Sequence, residues 1–118
     1  MLELNKIYFE DCLTGMQKID DKSIDMILCD LPYGTTQNLW DSVIDLKLLW
    51  EQYYRISKNS CAICLFAQSP FDKVLGASNI KQLKYEWIWI KSKATGYLNS
   101  KKMPLKKHEN ILVFYDNL

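Results

Sequence analysis

Four consecutive residues, Asp30-Leu31-Pro32-Tyr33, carry groups that could act together on the amine of a flat nitrogen base. Such an exocyclic amine is a poor nucleophile because its lone pair is delocalised into the ring. Two hydrogen-bond acceptors would favour a localised lone pair on the nitrogen, and a nearby carboxylate would stabilise the positive charge that develops on methylation. Asp30 supplies one acceptor, and the backbone carbonyl of Leu31 could supply the second.

The two residues that follow would hold this arrangement in place. Pro32 has a fixed φ and restricts Leu31 to an extended conformation, which orients the Leu31 carbonyl. Tyr33 offers a flat face on which a base drawn out of a duplex could stack. Because Asp-x-Pro-Tyr is also a reasonable turn sequence, the position of the motif along the chain matters as much as its residues.

The motif directly follows an apolar run at 24–29, which predicts a central parallel strand covered on both faces. Asp45 is a suitable N-cap for a helix whose apolar positions continue to Ile56. Other strands are predicted at 6–9, 62–66, 85–91 and 111–115, and other helices at 13–19 and from Pro70.

Strands that alternate with helices predict an α/β fold. We expect a Rossmann-like three-layer sandwich with a mainly parallel sheet, in which the closing pair of strands could be antiparallel. Ligands of such sheets bind beyond the carboxyl ends of the strands. The loop that begins at Asp30 is therefore the predicted site.

Charge is unevenly distributed in this chain of net charge +1. Residues 1–90 hold nine Lys/Arg against twelve Asp/Glu, whereas residues 91–108 hold six lysines and no acid. We interpret 92–108 as a basic loop, which is either solvated surface or a contact with nucleic-acid phosphates. The candidate phosphate contacts are Lys91, Lys93, Lys101, Lys102, Lys106 and Lys107.

Composition excludes several classes of protein. The 118 residues, 48% of them apolar, are typical of one globular domain. No apolar run approaches the roughly 20 residues that span a bilayer, so we expect a cytoplasmic protein with no membrane partner. Cys61 and Cys64 have the spacing of a zinc site, but they lie in an apolar run without a second ligand pair, and no metal is predicted.

Residues 23–34 resemble the Asp-Pro-Pro-Tyr motif and preceding strand of the amino-methylating DNA methyltransferases. Segments 35–41, 87–91 and 108–114 are also similar to that family, so the resemblance covers most of the chain. It implies a site-specific methyltransferase, of the kind found in restriction-modification systems of bacteria or phages. Such an enzyme transfers a methyl group from S-adenosylmethionine to double-stranded DNA. Aspartate at the first motif position with a Pro-Tyr ending implies adenine as the target, since serine is usual there in cytosine N4 enzymes.

The same resemblance assigns roles to particular residues. It implies that Asp30, Leu31, Pro32 and Tyr33 are catalytic. It also implies that Asp11 and Cys12, together with Asp30, approach the methyl donor. A turn at the end of a strand explains Asp11 and Cys12 equally well.

The sequence departs from the family pattern in two places. Leu31 replaces the usual first proline of the motif, which leaves the loop less rigid. The glycine-rich Phe-x-Gly-x-Gly loop of the family is absent, since the glycines stand at 15, 34, 76 and 96. In the permuted branch of the family that loop follows the catalytic motif. We therefore expect 1–118 to be the amino-terminal catalytic part of an incomplete methyltransferase domain. The donor loop would lie in a missing carboxy-terminal half or on a second chain. The alternative is a non-catalytic remnant that binds nucleic acid.

Overall fold

A computed structural model describes residues 2–32 and 44–116 of the chain. In chain order, its elements are α1 (Cys12–Met16), β1 (Ile24–Asp30), α2 (Leu46–Ile56), β2 (Ser57–Ala67), α3 (Phe71–Ser78), β3 (Leu83–Thr95), a 3-10 helix (Tyr97–Asn99) and β4 (Lys106–Phe114). The predicted α/β class is confirmed, and the elements from β1 onward overlap the predicted segments, although β2 begins at Ser57 and β4 at Lys106, earlier than predicted.

The strands form a mixed sheet in the order β1-β2-β4-β3. β1 pairs with β2 in parallel, and β4 is antiparallel to both of its neighbours. The predicted antiparallel closing pair is therefore confirmed. Because β1, β2 and β3 run in the same direction, their carboxyl ends lie at the same end of the sheet.

Local sequence explains α2 well. The Asp45 side chain accepts a hydrogen bond of 3.2 Å from the Leu48 backbone N–H, as expected of an N-cap. Leu49, Tyr53 and Ile56 recur at helical spacing and are buried. The helix thus presents one apolar stripe to the sheet.

The core lies between the three α-helices and one face of the sheet. On the strands, Ile63 is in register with Ile27 and Phe114, and Leu65 is in register with Cys29 and Leu112. These side chains belong to the core or pack against it, together with Leu49, Tyr53 and Ile56 of α2 and Leu75 of α3. Within the described residues the sheet is therefore covered on this face by one helical layer, so two of the three expected layers are present.

The prediction that 24–29 forms a central strand buried on both faces is wrong for the described residues. β1 lies at an edge of the sheet, and the side chains of Met26 and Leu28 are 54% and 64% exposed. Alternation places both on the face opposite the helices. The apolar run indicates a strand suited to burial, but cover for its second face and its outer edge is not found in residues 2–32 and 44–116.

The predicted strand at 6–9 is also wrong for this structure. These residues have no regular secondary structure, and the side chains of Ile7 and Phe9 are fully exposed. A strand needs a neighbour with which to exchange backbone hydrogen bonds, and the described part of the chain places none beside this segment. None of the described helices has the length and apolar character required to cross a membrane.

Candidate active site at the carboxyl end of β1

Asp30 is the last residue of β1, at the end of the sheet where ligands of α/β proteins bind. It is exposed and in register with Phe66 of β2. Strand alternation places its side chain on the same face as Leu28, away from the helices. The carboxylate thus lies on the exposed face of the sheet, at its carboxyl end.

Leu31 follows on the opposite side of the backbone, with only 4% of its surface exposed. It belongs to the core cluster beneath the helices. Burial of this side chain fixes the backbone directly after Asp30. Pro32 is half-buried, whereas Tyr33 and the segment 35–41 lie outside the described residues.

Asp11 and Cys12 form the turn that begins α1. The Asp11 carboxylate accepts hydrogen bonds from the Thr14 backbone N–H at 3.1 Å and from the Thr14 hydroxyl at 3.3 Å. This N-cap accounts for the aspartate without any ligand. The carboxylate can still accept further hydrogen bonds, since an ionised carboxylate has about four acceptor sites.

Two cysteines show that this turn lies near the end of β1. Partial desolvation raises the pKa of the Cys12 thiol, and the nearby Asp11 and Cys29 raise it further. Burial likewise raises the pKa of the Cys29 thiol, against a hydrogen bond from Tyr53 that lowers it, and Asp30 adds to the increase. The turn at 11–12 and the strand end at 29–30 are therefore neighbours. Both thiols are neutral near pH 7, so neither is an activated nucleophile.

Arg55, the only arginine in the sequence, holds the segment that follows α1, a role that the sequence pattern did not indicate. Its guanidinium donates hydrogen bonds to the backbone carbonyls of Met16 at 2.7 Å and Ile19 at 2.8 Å. It also forms an ion pair of 2.6 Å with Asp21. These bonds hold the segment after α1 against α2. A single arginine among many lysines, placed in the last turn of a predicted helix, is the sequence feature that could have indicated this role.

A buried polar pair ties α3 to the sheet at the carboxyl end of β2. The Asn110 side-chain amide donates a hydrogen bond of 2.8 Å to Asp72 Oδ2, and Lys73 lies 2.8 Å from the same oxygen. Asp72 and Asn110 are 5% and 8% exposed. The pair links the first turn of α3 to β4 close to the predicted site.

The six predicted phosphate contacts occupy two kinds of environment. Lys91 forms a largely buried ion pair of 2.8 Å with Glu109, and its ammonium lies 5.7 Å from the centre of the Trp89 ring. Lys106 donates a hydrogen bond of 3.1 Å to the Ser69 carbonyl. Lys93, Lys101, Lys102 and Lys107 are exposed.

Lys91 and Lys93 lie on β3 and Lys106 and Lys107 on β4, whereas Lys101 and Lys102 lie in the connection between these strands. β3 continues to Thr95 and β4 begins at Lys106, so the connection is shorter than the predicted loop 92–108. We call residues 92–107 the lysine arm. It extends from the carboxyl end of β3, which is the end of the sheet where Asp30 lies.

Other candidate features do not contribute to this site. Cys61 is buried and Cys64 is half-buried. Because they are three positions apart on β2, their side chains lie on opposite faces of the strand. Among residues 2–32 and 44–116, no group of three His, Cys, Asp or Glu side chains is placed to hold a metal ion. An open groove of about 840 Å³ runs beside α2 and the end of α3, away from Asp30.

No protein-family model matches this sequence, and no curated protein sequence matches it. Its fold is nevertheless similar to that of solved DNA methyltransferases. The PvuII DNA methyltransferase, described as cytosine-N4-specific, matches with a TM-score of 0.68 and 12% identity over 92% of this chain. The M1.HpyAVI–SAM complex matches with a TM-score of 0.57 and 14% identity over 86% of the chain. A second M1.HpyAVI structure has a TM-score of 0.59 and 13% identity over 89%.

The matches cover 48%, 47% and 50% of those proteins, so this chain spans about half their length. At 12–14% identity the likeness concerns the fold alone. It confirms the predicted methyltransferase-type architecture, present here as a partial domain.

Proposed function

We propose that this chain forms the base-binding part of an S-adenosylmethionine-dependent DNA methyltransferase that acts on the exocyclic amine of adenine. The observation that carries the proposal is the position of Asp30, an exposed carboxylate at the carboxyl end of β1, followed by the buried Leu31. The fold similarity to DNA methyltransferases supports it. Adenine as the target rests on the Asp-x-Pro-Tyr pattern alone.

In this proposal the chain orients the amine. Asp30 and the Leu31 carbonyl accept its two N–H hydrogen bonds, which favours a pyramidal nitrogen with a localised lone pair. The carboxylate would stabilise the positive charge that develops on that nitrogen as the N–C bond forms and the S–C bond of the methyl donor breaks, and the methylated amine would then lose one proton to solvent. The core contacts of Leu31 and the fixed φ of Pro32 hold both acceptors in place before the base arrives. Tyr33 stacks on the base that is drawn out of the duplex.

The residues present fit the adenosine end of the methyl donor. Asp11, Cys12 and Asp30 lie at the same end of β1, where carboxylates can accept hydrogen bonds from hydroxyl groups. When bound, S-adenosylmethionine supplies an electrophilic methyl group. The neutral thiols of Cys12 and Cys29 offer it no competing thiolate. The four glycines do not form a glycine-rich loop for its methionine end.

Substitution of Asp30 tests this proposal. The assay uses the chain together with the partner or segment that completes its fold. We expect Asp30→Ala to lower the rate of methyl transfer from labelled donor to duplex DNA on the order of 10²–10³-fold, the usual loss when one polar group of this kind is removed. Asp25→Ala is the matched control, since Asp25 lies on the same strand and pairs with Lys58 at the surface. Near wild-type transfer by Asp30→Ala would refute the assignment.

A non-catalytic protein that binds nucleic acid is the second candidate. The exposed lysines of the arm and the lack of a glycine-rich loop favour it. Binding to DNA that falls steeply with salt, with no binding of S-adenosylmethionine in the completed protein, would support this candidate. Donor binding that is weakened in Asp30→Ala would support the enzyme.

A further inference from the structure

The face of the sheet opposite the helices carries a continuous apolar surface. Tyr85, Trp87 and Trp89 of β3 are 46%, 62% and 47% exposed, and Phe66 packs edge-on against Trp89 with ring centres 5.9 Å apart. Met26 and Leu28 of β1 extend the surface to the far edge of the sheet. We call these six residues the open face.

The open face is large for a surface that remains in water. Aromatic side chains bury about 150–250 Å² each when covered, so three half-exposed rings alone present on the order of 300 Å². Met26, Leu28 and Phe66 add to this area. Soluble monomers seldom expose contiguous apolar patches beyond a few hundred Å². Exposure on this scale indicates a surface that another layer of polypeptide covers.

In the regularly paired part of the sheet, charge on this side lies at one end. By strand alternation the charged residues of this part are Asp30 and the ion pair of Lys91 with Glu109, all toward the carboxyl ends of β1 and β3. The body of the face between Met26 and Trp87 is apolar. A packed layer would therefore meet the apolar body and leave the polar end, with Asp30, facing the ligand.

The outer edge of β1 also lacks most of the features that protect an exposed strand. Natural sheets protect an exposed edge with lysine, proline, a bulge or a covering segment. The strand Ile24–Asp30 contains neither lysine nor proline, and its irregular register is confined to its start, between Ile24 and Met26, so the stretch from Met26 to Asp30 pairs regularly with β2 on its inner side. Parallel strands of this composition occur almost only where both faces are covered. The outer edge is therefore suited to a further strand.

The segment 6–9 also indicates a further strand near the outer edge of β1. Residues 6–9 have the composition of a strand, yet Ile7 and Phe9 are fully exposed because no strand lies beside them in the described residues. An additional strand pair next to β1 would offer a partner to this segment as well.

We infer that the open face and the outer edge of β1 together bind the second half of a methyltransferase fold. The occupant is a polypeptide that adds at least one strand beside β1 and lays helices with an apolar stripe on the open face. Its size follows from the solved structures, which are about twice as long as this chain while matching 86–92% of it. The inference rests on the proposed function, since that half would carry the groups that hold the methionine end of the donor.

Site-specific photocrosslinking in cells that express the natural gene tests this inference. Trp87 is replaced with benzoylphenylalanine, and Tyr54 on the outer side of α2, which is 60% exposed, serves as the matched position. We expect the probe at 87, and not at 54, to capture a peptide from outside residues 1–118. That peptide should belong to a polypeptide with a glycine-rich donor loop. Capture of a second copy of residues 1–118, or no product above that at 54, would overturn the inference.

Binding of the purified captured segment to the chain gives a second measurement. Leu28→Asp and Trp87→Glu are expected to weaken this binding at least tenfold, and Tyr54→Glu to leave it unchanged. Equal affinity in all three variants would contradict docking on the open face. If the complex forms but does not bind S-adenosylmethionine, docking is supported and the proposed function fails, so the two failures are distinguishable.

Discussion

Asp30 and Leu31 are adjacent residues with opposite environments. The aspartate is exposed at the end of β1, and the leucine is packed beneath the helices. In the Asp-Pro-Pro-Tyr motif that this segment resembles, a proline stiffens the position of Leu31. Here core packing can hold the same backbone, because a buried side chain restricts the residue that carries it. The departure from the family pattern thus has a structural compensation.

Truncation of Leu31 should therefore destabilise the protein. We expect Leu31→Ala to lower the free energy of unfolding by about 2–5 kcal/mol, the range for removal of a buried leucine side chain. Leu28→Ala, three residues earlier and 64% exposed, is expected to change it by about 0.5 kcal/mol or less. Urea denaturation of both variants measures the difference. Equal effects would show that core packing does not hold Leu31.

At the scale of elements, the lysine arm links the sheet to its surroundings. Lys91 anchors the base of the arm through Glu109 and Trp89, and Lys106 anchors the other side through the Ser69 carbonyl. The exposed lysines lie beyond these anchors. We therefore propose that Lys93, Lys101, Lys102 and Lys107 contact DNA phosphates, while Lys91 and Lys106 fix the direction of the arm.

Neutralising the four exposed lysines tests the role of the arm. The combined change of Lys93, Lys101, Lys102 and Lys107 to Gln should weaken DNA binding about equally for all sequences. It should also flatten the dependence of log K on log salt by about 0.9 per lost phosphate contact. The control changes Lys6, Lys47, Lys81 and Lys84 to Gln, an equal loss of charge from exposed lysines elsewhere. Identical salt slopes in the two variants would identify the arm as solvated surface.

At the scale of the whole molecule, the core is built on one side of the sheet, and several titratable groups in the protein are partly or largely withdrawn from water. Burial raises the pKa of Tyr53 well above its ordinary value of 10.0, and desolvation raises the pKa values of Cys12, Cys29 and Cys64 above 9.0. Tyr53 is also hydrogen-bonded to Cys29. All four groups favour their neutral forms in the folded protein.

Stability should consequently fall at alkaline pH. Well below pH 9.0 these groups are protonated in both the folded and the unfolded state, so their contribution to stability is fully present. As the pH rises through the ordinary pKa values of cysteine and tyrosine, the unfolded chain loses these protons while the folded chain retains them. The free energy of unfolding therefore decreases. Urea denaturation at pH 7.5 and pH 10 under reducing conditions measures the loss. A Tyr53→Phe, Cys29→Ala variant should lose less, and an equal or greater loss would contradict this explanation.

Local features of this protein follow from its amino-acid pattern. Apolar spacing predicts α2, Asp45 predicts its cap, and the run at 24–29 predicts a strand directly before Asp30, which the structure extends by that one residue. Each of these depends on residues within a few positions of one another, which is the range over which backbone preference and side-chain periodicity act. The resemblance to DNA methyltransferases also followed from short segments, and the fold agrees with it.

Only the tertiary structure decided which groups meet across the chain. Arg55 binds carbonyls 36 and 39 residues away, and Lys91 pairs with Glu109. The place of β1 at the edge of the sheet and the failure of 6–9 to pair likewise depend on which strands lie alongside. Side-chain composition shows that a segment is suited to burial. Whether it is buried depends on neighbours that are distant in sequence, and local patterns carry no information about them.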